Sequence, residues 1–374
     1  MKKKLIIVLC AVLAVLISGG AVGYGFLPHP LNYKIKSIAA VGGGLVVLND
    51  TDDAVTVSKT GEGDFKILMF TDMHLDGKNE TSFLTVDHLV KNIQREQPDL
   101  VILGGDNVTS GMNRKRAHQL AEIFERLGVY WAGVLGNHEG DNPYSVSRTE
   151  MVNIFSSYDH CLMRRGLDTV TGDCNYALLI ENEDGSLRKA FYFLDSFDEM
   201  TDAQKAEYNW TDDMSSYDGP KADQIAWYAE KAAAVSGQYG EKESILVLHI
   251  PLLQMRQNAL PKGGFSAEAP GTEGFVFGAQ RENVCCTGYE NGLFDAVKAA
   301  GTTAVFCGHD HLNNFGVVVD GVLLAYIEMS GYGSYSMRSK GFAEEEWLQG
   351  YTKLTLDENG DFIHEQILNA SLDE

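Results

Sequence analysis

The chain has 374 residues, 44% of them hydrophobic, so it has enough apolar residues for a large core and is not intrinsically disordered. Its formal net charge of −22 at pH 7 argues against general nucleic-acid binding and against adsorption to an anionic membrane surface, because both would repel an acidic protein. If the substrate is an anion, the local positive charge must come from bound metal.

The N-terminal segment differs from the rest of the chain. Lys2–Lys4 precede an uncharged stretch at residues 5–27, a pattern typical of export signals. Small residues at Gly19–Ala21 suit cleavage, whereas the length of the stretch also suits a membrane span. We therefore expect residues 1–27 to form a signal peptide or an N-terminal transmembrane anchor. The rest of the protein would then be extracytoplasmic, either membrane-anchored or secreted.

The chain becomes regular from Phe65 onward, after residues 28–63, which are predicted to be a linker followed by one or two edge strands. Short apolar runs alternate with stretches of helical periodicity, which predicts a parallel or mixed sheet with helices on its faces. The predicted strands are Ile67–Thr71, Leu100–Leu103 and Tyr130–Leu135, and the helices between them are Thr81–Glu96 and Lys115–Leu127.

The second half of the chain continues with strands and two helices. The segment 257–289 is a Gly-rich insertion that we expect to shape access to a site. The predicted strands are Tyr176–Ile180, Ala190–Asp195, Ser244–Leu248, Thr303–Cys307, Val317–Ile327, Tyr351–Leu356 and Phe362–Leu368, and the helices are Lys221–Val235 and Gly292–Ala300.

Potential metal ligands follow five of these strands directly. Because the carboxyl ends of strands in open α/β sheets form the usual ligand site, these groups are expected to converge. Carboxylate, amide and imidazole together are suited to iron, manganese or zinc. The segments are Asp72-Met73-His74, Gly105-Asp106, Gly136-Asn137-His138, His249-Ile250-Pro251 and Gly308-His309-Asp310-His311.

In order and in type, the five motifs resemble those of the calcineurin-like metallophosphoesterase family. The His249-Ile250-Pro251 segment and the run from Gly308 to Asn313 resemble its purple acid phosphatase-like branch. The resemblance implies an α/β (α+β) fold, a four-layer β-sandwich flanked by helices, over residues 64–370. It also implies a dinuclear metal site at the strand ends.

The resemblance further implies roles for eight residues. Asp106 would bridge two divalent or trivalent metal ions, and a shared carboxylate of this kind sets the ions close enough to clamp one phosphate. His138 would be the proton donor to the leaving group or a hydrogen-bond donor to the phosphate. One ion would be held by Asp72, His74 and His311, and the other by Asn137, His249 and His309.

One position departs from the coloured purple acid phosphatases. They carry a Tyr three residues after the bridging Asp, whereas this chain has Thr109 there. A coloured ferric tyrosinate is therefore not expected, and the metal identity stays open among iron, manganese and zinc.

The function implied is that of an exported metal-dependent phosphoesterase. It would hydrolyse phosphate monoesters of a small molecule or nucleotide by attack of a metal-bridging hydroxide. Two alternatives are a phosphodiesterase or nucleotide hydrolase of the same fold, and a non-catalytic surface binding protein.

Several residues near the motifs have open interpretations. Asp76 and Glu139 could accept hydrogen bonds from metal ligands or form turns, and Asp310 is expected to point away from the metals. The loop with Tyr332, Tyr335 and Arg338 could touch substrate or pack on the surface. Cys161 and Cys174 could form a disulfide or remain free thiols.

Overall fold

The computed structural model describes residues 30–372, except for 43, 78, 110, 260–273 and 345–346. The predicted signal or anchor at residues 1–27 lies outside the described residues, as does much of the predicted insertion. Within the described part, none of the helices combines the length and apolar character needed to cross a membrane.

The described residues form strands and helices that alternate along most of the chain. The strands are β1 (Leu45–Asp50), β2 (Ala54–Lys59), β3 (Phe65–Phe70), β4 (Leu100–Leu103), β5 (Tyr130–Gly133), β6 (Tyr176–Glu181), β7 (Leu187–Phe193), β8 (Ser244–Val247), β9 (Phe275–Phe277), β10 (Thr302–Cys307), β11 (Gly316–Val319), β12 (Val322–Tyr326), β13 (Gly350–Leu356) and β14 (Phe362–Leu368). The α-helices are α1 (Pro30–Lys36), α2 (Asn79–Glu96), α3 (Asn113–Leu127), α4 (Arg148–Ser156), α5 (Asp202–Glu207), α6 (Ala222–Tyr239), α7 (Leu253–Gln257) and α8 (Leu293–Ala299), with 3₁₀ turns at His138–Gly140 and Asn369–Leu372.

The strands form two sheets. One has five strands in the order β14-β13-β3-β4-β5, and the other has nine in the order β1-β2-β6-β7-β8-β10-β12-β11-β9. Strands β3, β4 and β5 are parallel and are connected through α2 and α3, as predicted. In the larger sheet β7, β8 and β10 are parallel neighbours, so the carboxyl ends of β8 and β10 lie side by side.

The two sheets pack face to face, with helices on both outer faces. One core joins Ile67 and Ile102 of the smaller sheet to Phe193 and Phe306 of the larger sheet, and it also includes buried residues of α2 and α3. A second core packs the other face of the larger sheet against α6 and α8, through Trp227 and other apolar residues. The predicted α/β (α+β) four-layer sandwich flanked by helices is therefore confirmed.

One local prediction is wrong, and two open predictions are narrowed. The stretch Val317–Ile327, predicted as one strand, is a hairpin of β11 and β12, because Asp320 and Gly321 both have positive φ and form a two-residue turn. The one or two edge strands predicted at the N-terminus are one, because β1 lies at the edge of the larger sheet while β2 pairs with β6 in parallel; α1 precedes both strands. Cys161 and Cys174 are both buried free thiols, which is one of the two possibilities that the sequence left open.

Candidate metal centre

The polar motifs meet where the ends of five strands from the two sheets come together. The segments after β3, β4 and β5 come from the smaller sheet, and those after β8 and β10 come from the larger sheet. The seven side chains predicted to bind metal, Asp72, His74, Asp106, Asn137, His249, His309 and His311, are all buried there.

Backbone hydrogen bonds fix the loops after β3 and β4 against each other. The Asp72 N–H donates to Gly105 O at 3.0 Å, and the His74 N–H donates to Asp106 O at 2.9 Å. Asp72, His74, Asp106 and His309 have φ of 53°, 45°, 49° and 81°, in the left-handed region that side chains usually avoid. Such strain persists where surrounding contacts over-determine the backbone, which is typical of functional sites.

One group of ligand atoms belongs to Asp72, His74, Asp106 and His311, and these atoms lie within 4.8 Å of one another. His311 Nε2 lies 3.2 Å from Asp72 Oδ1 and 3.1 Å from His74 Nε2. His74 Nε2 is 3.6 Å from Asp106 Oδ2. Three imidazole or carboxylate side chains thus face one point together with Asp106.

A second group consists of Asp106, His249 and His309, again with ligand atoms within 4.8 Å of one another. His249 Nε2 lies 3.3 Å from Asp106 Oδ2 and 3.1 Å from the Asn137 amide oxygen Oδ1. Asp106 is common to both groups, which is the arrangement expected for a carboxylate shared by two cations. That these residues bind metal ions in this division stays a prediction.

The two carboxylates each have one oxygen that suits a cation. Asp72 Oδ2 accepts from the Thr71 hydroxyl at 2.8 Å and the His309 N–H at 3.0 Å, and Asp106 Oδ1 accepts from the His138 N–H at 2.8 Å. Asp72 Oδ1 and Asp106 Oδ2 are buried and accept no hydrogen bond of ordinary geometry from the described residues, although His311 Nε2 and His249 Nε2 approach them to 3.2 and 3.3 Å. A buried carboxylate oxygen without a donor is costly, and a bound cation would offset that cost.

Hydrogen bonds orient two of the imidazoles. The Nδ1–H of His249 donates to Gly104 O at 2.8 Å, and that of His311 donates to Tyr335 O at 2.8 Å. A carbonyl oxygen only accepts, so each ring presents the lone pair of Nε2 to the cluster when it is neutral. Backbone contacts of this kind fix the tautomer of metal-binding histidines.

The electrostatic field of the carboxylates in the cluster favours positive charge. Burial alone would lower the pKa of His249, but Asp106 and Asp72 raise it to about 10. Burial opposes ionisation of Asp106 as well, yet the neighbouring imidazoles, His249 first, hold its pKa well below the usual value. Burial lowers the pKa of His74 to about 4 and of His309 to about 3, so both rings are neutral and able to bind a metal at pH 7.

His138, the predicted proton donor, lies beside the cluster. Its ring centroid is 5.5 Å from that of His74, its side chain is half-exposed, and Nδ1 pairs with the Asp141 carboxylate. Burial alone would lower the pKa of His138, but attraction by Asp106 and Asp141 outweighs burial and raises it. A raised pKa favours the protonated ring, as a proton donor requires.

Three supporting residues lie around the centre. Glu139 accepts from the N–H groups of Asn107 and Gly136, at 2.6 and 2.8 Å, and so joins the loops after β4 and β5. Arg148 donates to Gly136 O and to Asp195 Oδ1, both at 2.5 Å. From the sequence, Glu139 could either accept hydrogen bonds or only form a turn. No sequence pattern indicated the contact between Arg148 and Asp195, which are 47 positions apart.

Of the four remaining candidate residues, Tyr335 contacts the cluster, whereas Asp310, Tyr332 and Arg338 do not. Asp310 points away from the cluster, as expected, and accepts from the Cys285 N–H at 3.0 Å. The Tyr335 ring stacks on His311 with centroids 4.1 Å apart. Tyr332 packs against His88, and Arg338 lies over the Trp347 ring, so neither belongs to the cluster.

Comparison with known proteins decides the family. The sequence model of the calcineurin-like phosphoesterases matches residues 65–313, a span that contains all eight predicted site residues. The chain belongs to the calcineurin-like phosphoesterase family. It is accordingly a hydrolase that acts on phosphoester bonds, with a phosphorylated substrate and a centre for two metal ions.

Individual relatives of this phosphoesterase are distant. "Probable inactive purple acid phosphatase 28" of Arabidopsis thaliana is 26% identical over 310 residues, 73% of this chain and 72% of its own length. "Phosphatase DCR2" of Saccharomyces cerevisiae is 25% identical over 314 residues, 77% of this chain and 49% of its own length. The crystal structure of a dimetal phosphatase from Danio rerio is 16% identical, with a TM-score of 0.46 over 81% of this chain and 97% of that chain.

Proposed function

We propose that the protein hydrolyses phosphate monoesters at a centre of two metal ions bridged by Asp106. The observation that carries this proposal is the pair of buried oxygens without donors, Asp72 Oδ1 and Asp106 Oδ2, which lie among the imidazoles. The preference for monoesters is supported by the purple acid phosphatases and the phosphatase among the relatives.

Two bound metal ions would neutralise the phosphoryl oxygens and lower the pKa of water to supply the nucleophile. The chain's own residues do the rest. Asp106 belongs to both ligand groups, and its Oδ1 accepts a hydrogen bond from the backbone N–H of His138. His138 is held by Asp141 beside the cluster, where a protonated ring can give its proton to the departing alcohol oxygen.

The test is hydrolysis of 4-nitrophenyl phosphate by the full chain loaded with iron, manganese or zinc. We expect turnover that a chelator abolishes and that Asp106→Asn lowers by at least about 10³-fold, because the shared ligand loses its charge. His118→Gln is the matched control, since this exposed histidine bonds Tyr158 far from the cluster. Full activity after complete metal removal would refute the proposal.

The same experiment separates the alternatives. Bis(4-nitrophenyl) phosphate and nucleotides replace the monoester, and a higher kcat/KM for either would favour a phosphodiesterase or nucleotide hydrolase. A second candidate function is non-catalytic binding, because three relatives carry "inactive" in their names. Metal binding without turnover of any ester would favour that candidate.

The proposed location is outside the cytoplasm. It is supported by Lys2–Lys4 and the uncharged residues 5–27 that follow. Protease added to intact cells should digest the protein, and removal of residues 1–27 should retain it inside. Protection of the full chain from external protease would contradict this location.

A further inference from the structure

A cavity of about 510 Å³ opens beside the metal centre. Its lining includes Asn137, Asn142, Ser145, Arg148 and Asp198. Asn137 is the link to the centre, since its amide oxygen lies 3.1 Å from His249 Nε2. A group attached to a phosphate at the centre would therefore extend into this cavity.

The charges around the cavity are compensated except for one. The Arg148 guanidinium is paired with Asp195, and His138 is paired with Asp141. Asp198 accepts at Oδ1 from the Glu199 N–H at 2.7 Å, while its Oδ2 receives no hydrogen bond from the described residues. Asp198 is exposed in the cavity lining, and desolvation and then repulsion from Asp141 raise its pKa, which a cation placed beside it would offset.

Asp198 stands on a fixed wall rather than on a free loop. The Asp218 N–H donates to Asp198 O at 2.8 Å, and the Met200 N–H donates to Ser216 O at 2.8 Å, so residues 198–200 pair with residues 216–218. Tyr217 of the same wall contacts the His309 ring edge-on, with centroids 4.3 Å apart. The wall thus holds the Asp198 carboxylate in the lining of the cavity, where it can pair with an ammonium group through charge-assisted hydrogen bonds.

We infer that this cavity binds the alcohol part of the substrate and selects alcohols that carry a positively charged amino group, through the Asp198 carboxylate. The inference rests on the proposed function, because it takes the phosphate to lie at the metal centre. It predicts that aminoalkyl phosphates are preferred and that esters with a second negative charge are disfavoured by the same carboxylate.

Binding tests the inference independently of turnover. The probes are 3-aminopropylphosphonate, butylphosphonate and 4-phosphonobutyrate, which share a three-carbon spacer and differ in the charge of the end group. We expect the metal-loaded full chain to bind the amine about fivefold more tightly than the butyl compound and about 20-fold more tightly than the carboxylate, as for partly exposed ion pairs. The difference should shrink at 0.5 M salt.

Variants test whether Asp198 causes the preference for the amine. The affinity span is the 20-fold difference in affinity between the amine and the carboxylate probes. Asp198→Asn should reduce this span to about threefold or less, and Asp198→Lys should reverse the order of the affinities. Asp212→Asn removes an exposed carboxylate of the neighbouring loop and should keep the span. A span below threefold in the unaltered protein, or a span that Asp198→Asn leaves intact, would overturn the inference.

Turnover then separates this inference from the proposed function. The corresponding esters are 2-aminoethyl, propyl and 2-carboxyethyl phosphate. If none is hydrolysed while the phosphonates keep their order, the cavity assignment stands and the proposed hydrolysis fails. Hydrolysis of all three at equal kcat/KM would keep the hydrolase and refute the selectivity.

Discussion

Gly136 lies so close to Asp106 that a Cβ atom at position 136 would stand 2.1 Å from Asp106 Oδ1. No ordinary contact is that short, so any side chain at this position must displace the carboxylate shared by the two ligand groups. The shape of the centre therefore depends on a residue that contributes no ligand atom.

We expect Gly136→Ala to lower kcat/KM by about 100-fold or more, because a displacement near 1 Å of a catalytic group costs about that much. Metal content after dialysis should fall with it. Gly237→Ala is the control, since a Cβ there meets nothing within 4 Å and Gly237 lies within α6. Unchanged metal content and activity in Gly136→Ala would show that the centre tolerates the shift.

The pair of Arg148, whose side chain is 21% exposed, and the buried Asp195 should be important for stability. Arg148→Met leaves the buried Asp195 carboxylate without its counter-charge and should lower the free energy of unfolding by about 3 kcal/mol, whereas Asp195→Asn leaves an arginine that reaches solvent and should cost less. The double variant Arg148→Met with Asp195→Leu should lose less than the sum. Glu122→Gln, which breaks an exposed pair with Arg126, should cost under about 1 kcal/mol. Equal losses for Arg148→Met and Glu122→Gln in urea titrations would contradict this prediction.

His364 should make stability depend on pH. Its ring stacks between Phe277 and Phe306, its Nε2 is buried without a partner, and burial lowers its pKa from 6.5 to about 4. Between pH 6.5 and 4 the unfolded chain binds the extra proton and the folded chain does not. Stability from this group is therefore complete above pH 6.5 and is lost as pH falls toward 4.

His364→Phe removes that titration. From pH 7 to pH 5 we expect the variant to lose about 1–2 kcal/mol less stability than the unaltered protein. Urea unfolding at both pH values measures the difference, and His118→Gln serves as a control at an exposed histidine. The same pH slope in His364→Phe and the unaltered protein would refute the assignment.

Thr109 leads to a spectroscopic prediction. Without a tyrosine at this position, the iron-loaded protein should lack the strong visible charge-transfer absorption of a ferric tyrosinate. An absorption spectrum of the reconstituted full chain measures this directly, with the zinc-loaded protein as the blank. An intense visible band that requires iron would mean that another tyrosine reaches the metal.

Regular patterns made much of the fold predictable. The strand and helix alternation from Phe65 to Gly133 follows from local periodicity, and the motif residues stand directly after strands. The turn at Asp320 and Gly321 was also visible as a dipeptide, but the continuous apolar run around it favoured a single strand. The pairing of β2 with β6 and of β13 with β3 joins segments more than 100 residues apart, so no local pattern specifies it.

The candidate site, like the fold, could be predicted only in part from the sequence. Ligand types could be predicted because carboxylate, amide and imidazole have specific chemistry at strand ends. The contacts that orient them could not, since the Tyr335 carbonyl at His311 and the Asp195 carboxylate at Arg148 depend on how distant segments pack. Asp198 is a further example, because only the folded chain brings it into the lining of the same cavity as Asn137.

The two sheets contribute different ligands to the same centre, with Asp72 and Asp106 from one and His249 and His311 from the other. Metal ions bound there would link the halves of the sandwich, and their binding free energy would add to the cohesion of the whole domain. Melting temperature should therefore rise with metal occupancy. A thermal shift series across candidate metals would then rank their affinities without any knowledge of the natural substrate.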